Sequence, residues 1–554
     1  MSHYPFWRIG PQGGMTISTY QLTQFLESEG FGIYKTHGDR TEDGVLFRNA
    51  VGILQGHNAK SVKRFIQEYV ESDTTAPEDE RLRFLDTWVS KSPKTVETYL
   101  NALPIFTDGG KNDTNPLSIF RDTKDKCYLP FKNAVVEISA DNIVLKDWVD
   151  VVTSGAVWET SIIPRCIDLP ENLSQSGPDM PVTLQSESSP FVDFIRYAFK
   201  HGVQPKARGN NPNEGTENPR YIDSLTGFET AFGYLIHRYN PPDSMCSVVF
   251  VDADSTSDKA EGGNGKSLSL ESIQYVRNLE SVDGRRFRKT AQDSSRFNFS
   301  NVTVATEFVL VNDLNPDFDL TTIFGAVTDD MEIEGKGKDK IVIPKNKKPK
   351  LALTTNYIID GVGGSYDRRQ HIVEFGNFFN NALKLEPKVK IRDVIGKGLF
   401  EDDFTDEDWN AFFVYAIQCV HRYMRLGLVA APNSNYRNRV LVSAVEGKNG
   451  SGEVTDWIRN WVNLDRLEGG YDQTGIAVDD LYSKFSYENS FLASTNWDRA
   501  KFKKAVYEFV FASPELEYNP DLAHKGTGMN QRRWLCGPKG DQRDTIKITS
   551  SVIG

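Results

Sequence analysis

Lys266 and Ser267 close a glycine-rich run, Glu261-Gly262-Gly263-Asn264-Gly265-Lys266-Ser267-Leu268. Glycines let the backbone turn its N–H groups onto a polyphosphate. A lysine in this place reaches the β- and γ-phosphates, and a serine hydroxyl ligates Mg²⁺. Gly262 to Leu268 is therefore the candidate ATP-binding loop, with Lys266 on the phosphates and Ser267 on the metal. Ala260 stands where G-x-x-x-x-G-K-S has its first glycine, and Asp252 to Lys259 form a polar insertion before the loop. Further on, Phe308-Val309-Leu310-Val311 runs into Asn312-Asp313. Nucleotide hydrolysis needs a carboxylate at the metal and a second acid to orient the attacking water. Asp313 is expected to hold Mg²⁺. Asn312 stands where the second acid is often found, which leaves Glu307, Asp317 and Asp319 as neighbours for that role. Asn356, after Leu351-Ala352-Leu353-Thr354-Thr355, occupies the place of a sensor for the γ-phosphate. Arg368 and Arg369 supply cations suited to reach a neighbouring subunit's nucleotide. Lys336, Lys338 and Lys340 crowd the tip of an expected hairpin, where ammonium groups bind nucleic-acid phosphates without reading sequence.

These residues need elements that bring them together. Ser247-Val248-Val249-Phe250-Val251 reads as a buried strand, being short, β-branched and bounded by polar residues. Leu268 to Val276 has helical spacing after the loop. Strand, glycine loop and helix, then strands ending at Asp313 and Asn356, describe an α/β core. The residues to about Asp108 read as helical, with Val62, Phe65, Ile66, Tyr69 and Val70 on one face of Ala59 to Glu71. Tyr128 to Leu145 reads as a β-hairpin. Ser189-Pro190 opens a helix, and Leu225 to Tyr239 forms another. Asp406 to Leu426 is a strong helix. The expected division is 1–108 helical, 109–240 an α+β adaptor, 241–385 the ATPase, 386–470 a helical connector and 471–554 a small C-terminal domain.

The 554 residues carry 39% hydrophobic side chains, enough for several cores, and a net charge of −12. A uniformly basic nucleic-acid binder is excluded, so positive charge must be local. Five cysteines without a CxxC pair fit a reduced compartment and speak against a disulfide framework or zinc ribbon. The start of the sequence lacks a signal-peptide pattern, and no segment has the apolar length of a membrane span. The expected location is the host-cell cytoplasm.

GGNGKS, VLVND, the lysine-rich hairpin before LALTTN and the DRR that follows resemble the superfamily 3 helicases of viruses and phages. Within these, they resemble the poxvirus-type primase-helicase group more closely. The resemblance implies an AAA+-type P-loop ATPase assembling as a homohexameric ring with ATP between subunits. It implies that Lys266, Ser267 and Asp313 serve ATP and Mg²⁺, that Asn356 is the sensor, and that Arg368 or Arg369 acts in trans. The lysine hairpin would project into the ring channel. The C-terminal helices, with Lys525, Arg532, Arg533 and Trp534 beyond them, resemble a winged-helix domain. The function implied is ATP-dependent unwinding in phage or viral genome replication, on single-stranded or forked DNA, with a primase or polymerase as the kind of further partner it would serve. The alternative is an ATP-regulated replication initiator that binds DNA without processive unwinding.

Overall fold

The structure is a computed structural model. It describes residues 6–11, 14–35, 44–107, 115–171, 173, 180–200, 218–253, 262–287, 298–303, 305–316, 318–334, 341–359, 364–385, 388–447, 452–461, 476–511, 516–518 and 545–548.

Five parallel strands form the central sheet: β1 (Ser247–Asp252), β2 (Leu279–Asp283), β3 (Phe308–Leu314), β4 (Lys350–Thr355) and β5 (Gln370–Phe375). Their spatial order is β2-β3-β4-β1-β5. Every residue of β1 and β4 is buried, as expected of parallel strands covered on both faces. Alternation divides the side chains between two cores. Val248, Phe250, Leu310 and Ala352 join the larger core, which also holds the helices Pro190–Ala198, Pro219–Ile236 and Asp406–Leu426. Val249, Val251, Val309 and Leu353 join the opposite one. Burying each of the valine, leucine and phenylalanine side chains contributes about 1.5–3 kcal/mol, so a one-residue slip of β1 would forfeit both faces at once. The glycine loop leads from β1 into α1 (Lys266–Glu271), prolonged by a 3₁₀ turn over Ser272–Tyr275.

The expected hairpin is present as Val135–Ile138 and Ile143–Lys146, with Cys127–Pro130 added as a third antiparallel strand. Buried charges fasten this segment to the parallel sheet. Arg277 pairs with Asp122, just ahead of the strand Cys127–Pro130, at 3.0 Å and donates to Cys127 Sγ at 3.3 Å.

The helical expectation for residues 1–108 is corrected. Helices Thr19–Ser28, Ala59–Ser72, Glu78–Val89 and Pro93–Leu100 are there, but strands Phe31–Lys35, Val45–Ala50, Ile53–Gly56 and Ile105–Thr107 share the same stretch. Val157–Trp158 pairs with Ile53–Gly56 and completes the sheet from beyond residue 108. The hairpin between Ala50 and Ile53 turns through Val51 and Gly52, at φ 53° and 86°. A two-residue turn with both φ positive normally announces itself by Asn-Gly or Asp-Gly. Here valine holds the first position and Asn49 accepts the Gly52 N–H at 2.7 Å, so the usual signal is absent.

Asp406–Leu426 has the expected bounds. Beyond it, α2 (Ser434–Glu446) belongs to two cores. Tyr436 and Val440 pack under the central sheet, whereas Leu441 and Val445 pack with Phe485, Phe502 and Val506 of the C-terminal helices. Those helices accompany a small antiparallel sheet of Ile476–Ala477, Thr545–Ile548 and Leu516–Tyr518. Lys525, Arg532, Arg533 and Trp534 lie outside the described residues. Among the described residues, no helix is long and apolar enough to cross a membrane.

Candidate functional site

The loop after β1 folds back on the ends of two neighbouring strands. Gly263 and Gly265 have φ of 105° and 92°, a region open to glycine and costly for side chains. A Cβ at Gly265 would also stand 2.6 Å from the Phe194 ring, and one at Gly263 would stand 2.6 Å from Leu383. Lys266 begins α1 with its side chain 6% exposed, and its ammonium donates to the buried carboxylate of Asp252 and, at 2.8 Å, to Oδ1 of Asn356. Asn264 Nδ2 donates to the other Asp252 oxygen at 3.0 Å, and the Asn380 N–H donates to Asn264 Oδ1 at 2.9 Å. Burial pushes the Lys266 ammonium below the ordinary lysine range, against the opposing pull of Asp252 and then of Asp313.

Ser267 Oγ donates to Asn312 Oδ1 at 2.7 Å, and Thr354 Oγ1 donates to the same oxygen at 2.6 Å. Asn312, rather than Asp313, therefore receives the serine hydroxyl. The cause is a bulge. The β3–β4 register shifts between Val311 and Leu314, and Asp313 takes φ 60°. The extra residue re-aims the side chains beyond it, and Thr354 Oγ1 accepts the Asp313 N–H at 2.9 Å. Gly284 makes room, because a Cβ there would meet Asn312 O at 2.7 Å and Leu314 N at 2.8 Å.

The other sequence-predicted residues are distributed as follows. Gly262 borders the Asn356 side chain, and Leu268 follows Ser267 in α1. Arg368 and Arg369 precede β5 at the end of the sheet opposite Lys266, about 20 Å away along the six residues of the strand. Arg369 stacks over Phe324 at 4.4 Å, and Arg368 is exposed. Neither is brought to the loop of its own chain. Glu307 lies at the far end of β3, engaged with Arg238 and the Asn278 N–H, which removes it from the acids near the loop. Asp319 caps the turn Leu320–Ile323. Lys336, Lys338, Lys340 and Asp317 lie outside the described residues.

Four participants were not singled out from the sequence. Asp252 ends the apolar run of β1, where a carboxylate facing a phosphate loop was the available signal. Thr354 sits inside LALTTN. Asn380 and Arg439 carry no local signal, since each acts from a distant helix. Arg439, on α2, donates to the main-chain oxygens of Ala253 and, at 2.9 Å, Asp252. Tyr436 on the same helix donates its N–H to Glu374 at 2.9 Å and accepts the Ile359 N–H at 2.9 Å.

The residues fit a magnesium nucleotide. Ser267 and Asn312 present oxygens side by side, Lys266 supplies a buried cation, and the positive-φ glycines supply an open backbone. Among the described residues no group of three or more His, Cys, Asp or Glu is arranged around a metal. Mg²⁺ usually takes only one or two protein ligands and completes its shell from phosphates and water.

No family model matches the chain, and no curated protein is similar to it. Among solved structures it is similar to the apo A form of the NrS-1 C-terminal region, at a TM-score of 0.35 and 12% identity, covering 88% of this chain and 90% of that one. A second structure of that region, residues 305–718, gives a TM-score of 0.34 and 10% identity over the same shares.

Proposed function

We infer that this chain is an ATP-driven motor on DNA, a ring-forming helicase with an AAA+-type core of the superfamily 3 kind, serving phage or viral genome replication. Support comes chiefly from one juxtaposition. Lys266 and Ser267 of one loop meet Asn356 and Asn312 at the ends of two adjacent strands. The strand bearing Asn356 lies between the loop's strand and the Asp313 strand, an order that lets one triphosphate face all three.

The chemistry assigned to the residues follows. Lys266 transfers its hydrogen bonds from Asp252 to the β- and γ-phosphate oxygens. Mg²⁺, when bound, screens the phosphate charge and polarises the leaving group. Ser267 and Asn312 would hold it. Asp313, freed by the bulge from strand pairing, orients the attacking water and takes its proton. Asn356 hydrogen-bonds the γ-phosphate. Arg368 or Arg369 of an adjacent copy completes charge neutralisation, in keeping with their distance from the loop of their own chain. The winged-helix reading of the C-terminal unit and DNA contact by Lys336, Lys338 and Lys340 belong to the same proposal.

The test is strand displacement from a forked duplex with ATP, by the wild-type chain and Lys266→Ala. Unwinding lost in the variant is expected; unwinding retained would overturn the site. Asn312 in place of an acid favours the second reading, a replication initiator that binds ATP and DNA. That reading gains the ground if the wild-type chain binds both and displaces no strand.

A further inference from the structure

Asp252 is a peculiar neighbour for a phosphate loop. Its side chain is 2% exposed, it holds the loop's lysine, and Asn264 of the same loop fixes its second oxygen. Arg439 anchors the main chain at this point through the oxygens of Asp252 and Ala253. The carboxylate therefore cannot swing into solvent without breaking the loop's own hydrogen bonds. When Lys266 turns to a triphosphate, Asp252 stays behind, buried, with its cation gone.

A buried charge deprived of its partner is costly, and a second negative charge nearby raises that cost. The penalty depends on the charge of the ligand. A metal-free nucleoside triphosphate carries about two more negative charges than its magnesium complex, and at low effective dielectric each is felt strongly. Asn312 adds no negative charge of its own where Ser267 meets β3. Asp313 also acts on Lys266, but more weakly than Asp252, and Asp252 is the carboxylate that gives up its cation, so the larger share of the discrimination falls to the carboxylate on β1.

Resting on the nucleotide reading above, we propose that Asp252 is a selectivity residue: it admits the triphosphate as its divalent-metal complex and rejects the metal-free form. Asp252 touches the group that binds the phosphates and contacts the ligand only through its field, so it is a positioning and selectivity residue and has no catalytic step.

The experiment is equilibrium binding of a fluorescent ATP analogue to the full chain, once with Mg²⁺ and once with EDTA. The quantity read is the ratio of the two dissociation constants. Asp252→Asn keeps the Asn264 contact available and removes the charge, while Asp252→Ser removes both and guards against misfolding of a single variant. Thermal melts identify a variant that has lost its fold. Wild type is expected to bind the magnesium form far more tightly, and either folded variant is expected to shrink the ratio about tenfold, by a gain in metal-free binding. A ratio unchanged or enlarged in a folded variant overturns the proposal, because a merely structural role would weaken both forms alike. If both variants unfold, the ratio is read in Ser267→Ala, which removes a proposed metal ligand and keeps the Asp252 charge: a preference for the magnesium form that survives supports the proposal, and a ratio near one overturns it. A wild-type chain that binds neither form is a different result, which overturns the nucleotide site itself.

Discussion

The hydroxyl of Ser267 rests on Asn312 at 2.7 Å, one residue before the acid that the strand pattern singles out. A neutral amide thus occupies the position beside the serine proposed to hold Mg²⁺. In the proposed chemistry this leaves Asp313, its backbone held at φ 60°, to act on water.

Exchanging the two chemistries separates their roles. Asn312→Asp is expected to lower the Mg²⁺ concentration for half-maximal ATPase by about three- to tenfold, since a carboxylate binds this hard cation better than an amide. Asp313→Asn is expected to cut turnover by about 10²–10⁴ while nucleotide affinity is kept, the range for losing a general base. Steady-state kinetics and titration with a fluorescent nucleotide check both.

Gly284 offers a control for the bulge. Gly284→Ala places a methyl 2.7–3.0 Å from the main chain of Asn312, Asp313 and Leu314. A displacement of the bulge is expected, with a loss of about 1–3 kcal/mol in stability and a fall in kcat larger than the change in KM. Urea unfolding and ATPase rates report the two effects. An unchanged kcat would detach the bulge from the chemistry.

Arg439→Ala removes two hydrogen bonds to the carbonyls that end β1. Charged hydrogen bonds of this kind are worth about 1.5–3 kcal/mol each at most. The expected outcome is a lower melting temperature and a raised KM for ATP, with Arg439→Lys recovering part of both.

Two buried bases set a pH dependence. Burial, assisted by the charge of Lys350, holds His237 at about 4 against 6.5. Burial holds Lys350 at about 7 against 10.5. In each case the unfolded chain takes up the proton first as pH falls. Stability is therefore lost from about pH 10.5 down to 7 through Lys350, and from about 6.5 down to 4 through His237. Urea midpoints measured from pH 4 to 9 should rise with pH, and the acid limb should flatten in His237→Gln.

The parallel core was legible because β1 and β4 are fully buried and carry short apolar runs, Val248–Val251 and Leu351–Leu353, bounded by polar residues. The loop residues were legible because glycine, lysine and serine have few other reasons to occur in that order. The N-terminal sheet was hidden by its short strands and by valine at a turn that usually advertises itself with asparagine. Within the site, the sequence identified Asn312-Asp313 but not which of them meets Ser267, since the bulge depends on Gly284 in the turn just past the adjacent strand. Asp252 was visible only as the first residue of an insertion. Its meaning lies in a pairing with Lys266 across the loop.

Helix α2 is held at both of its ends. Its first turns are stitched to β5 through Glu374 and to the end of β1 through Arg439, while its last turns are sealed into the C-terminal hydrophobic cluster. The terminal unit has no free swivel at this helix. A load applied there arrives, without slack, as a tug on the two carbonyls that precede the glycine loop.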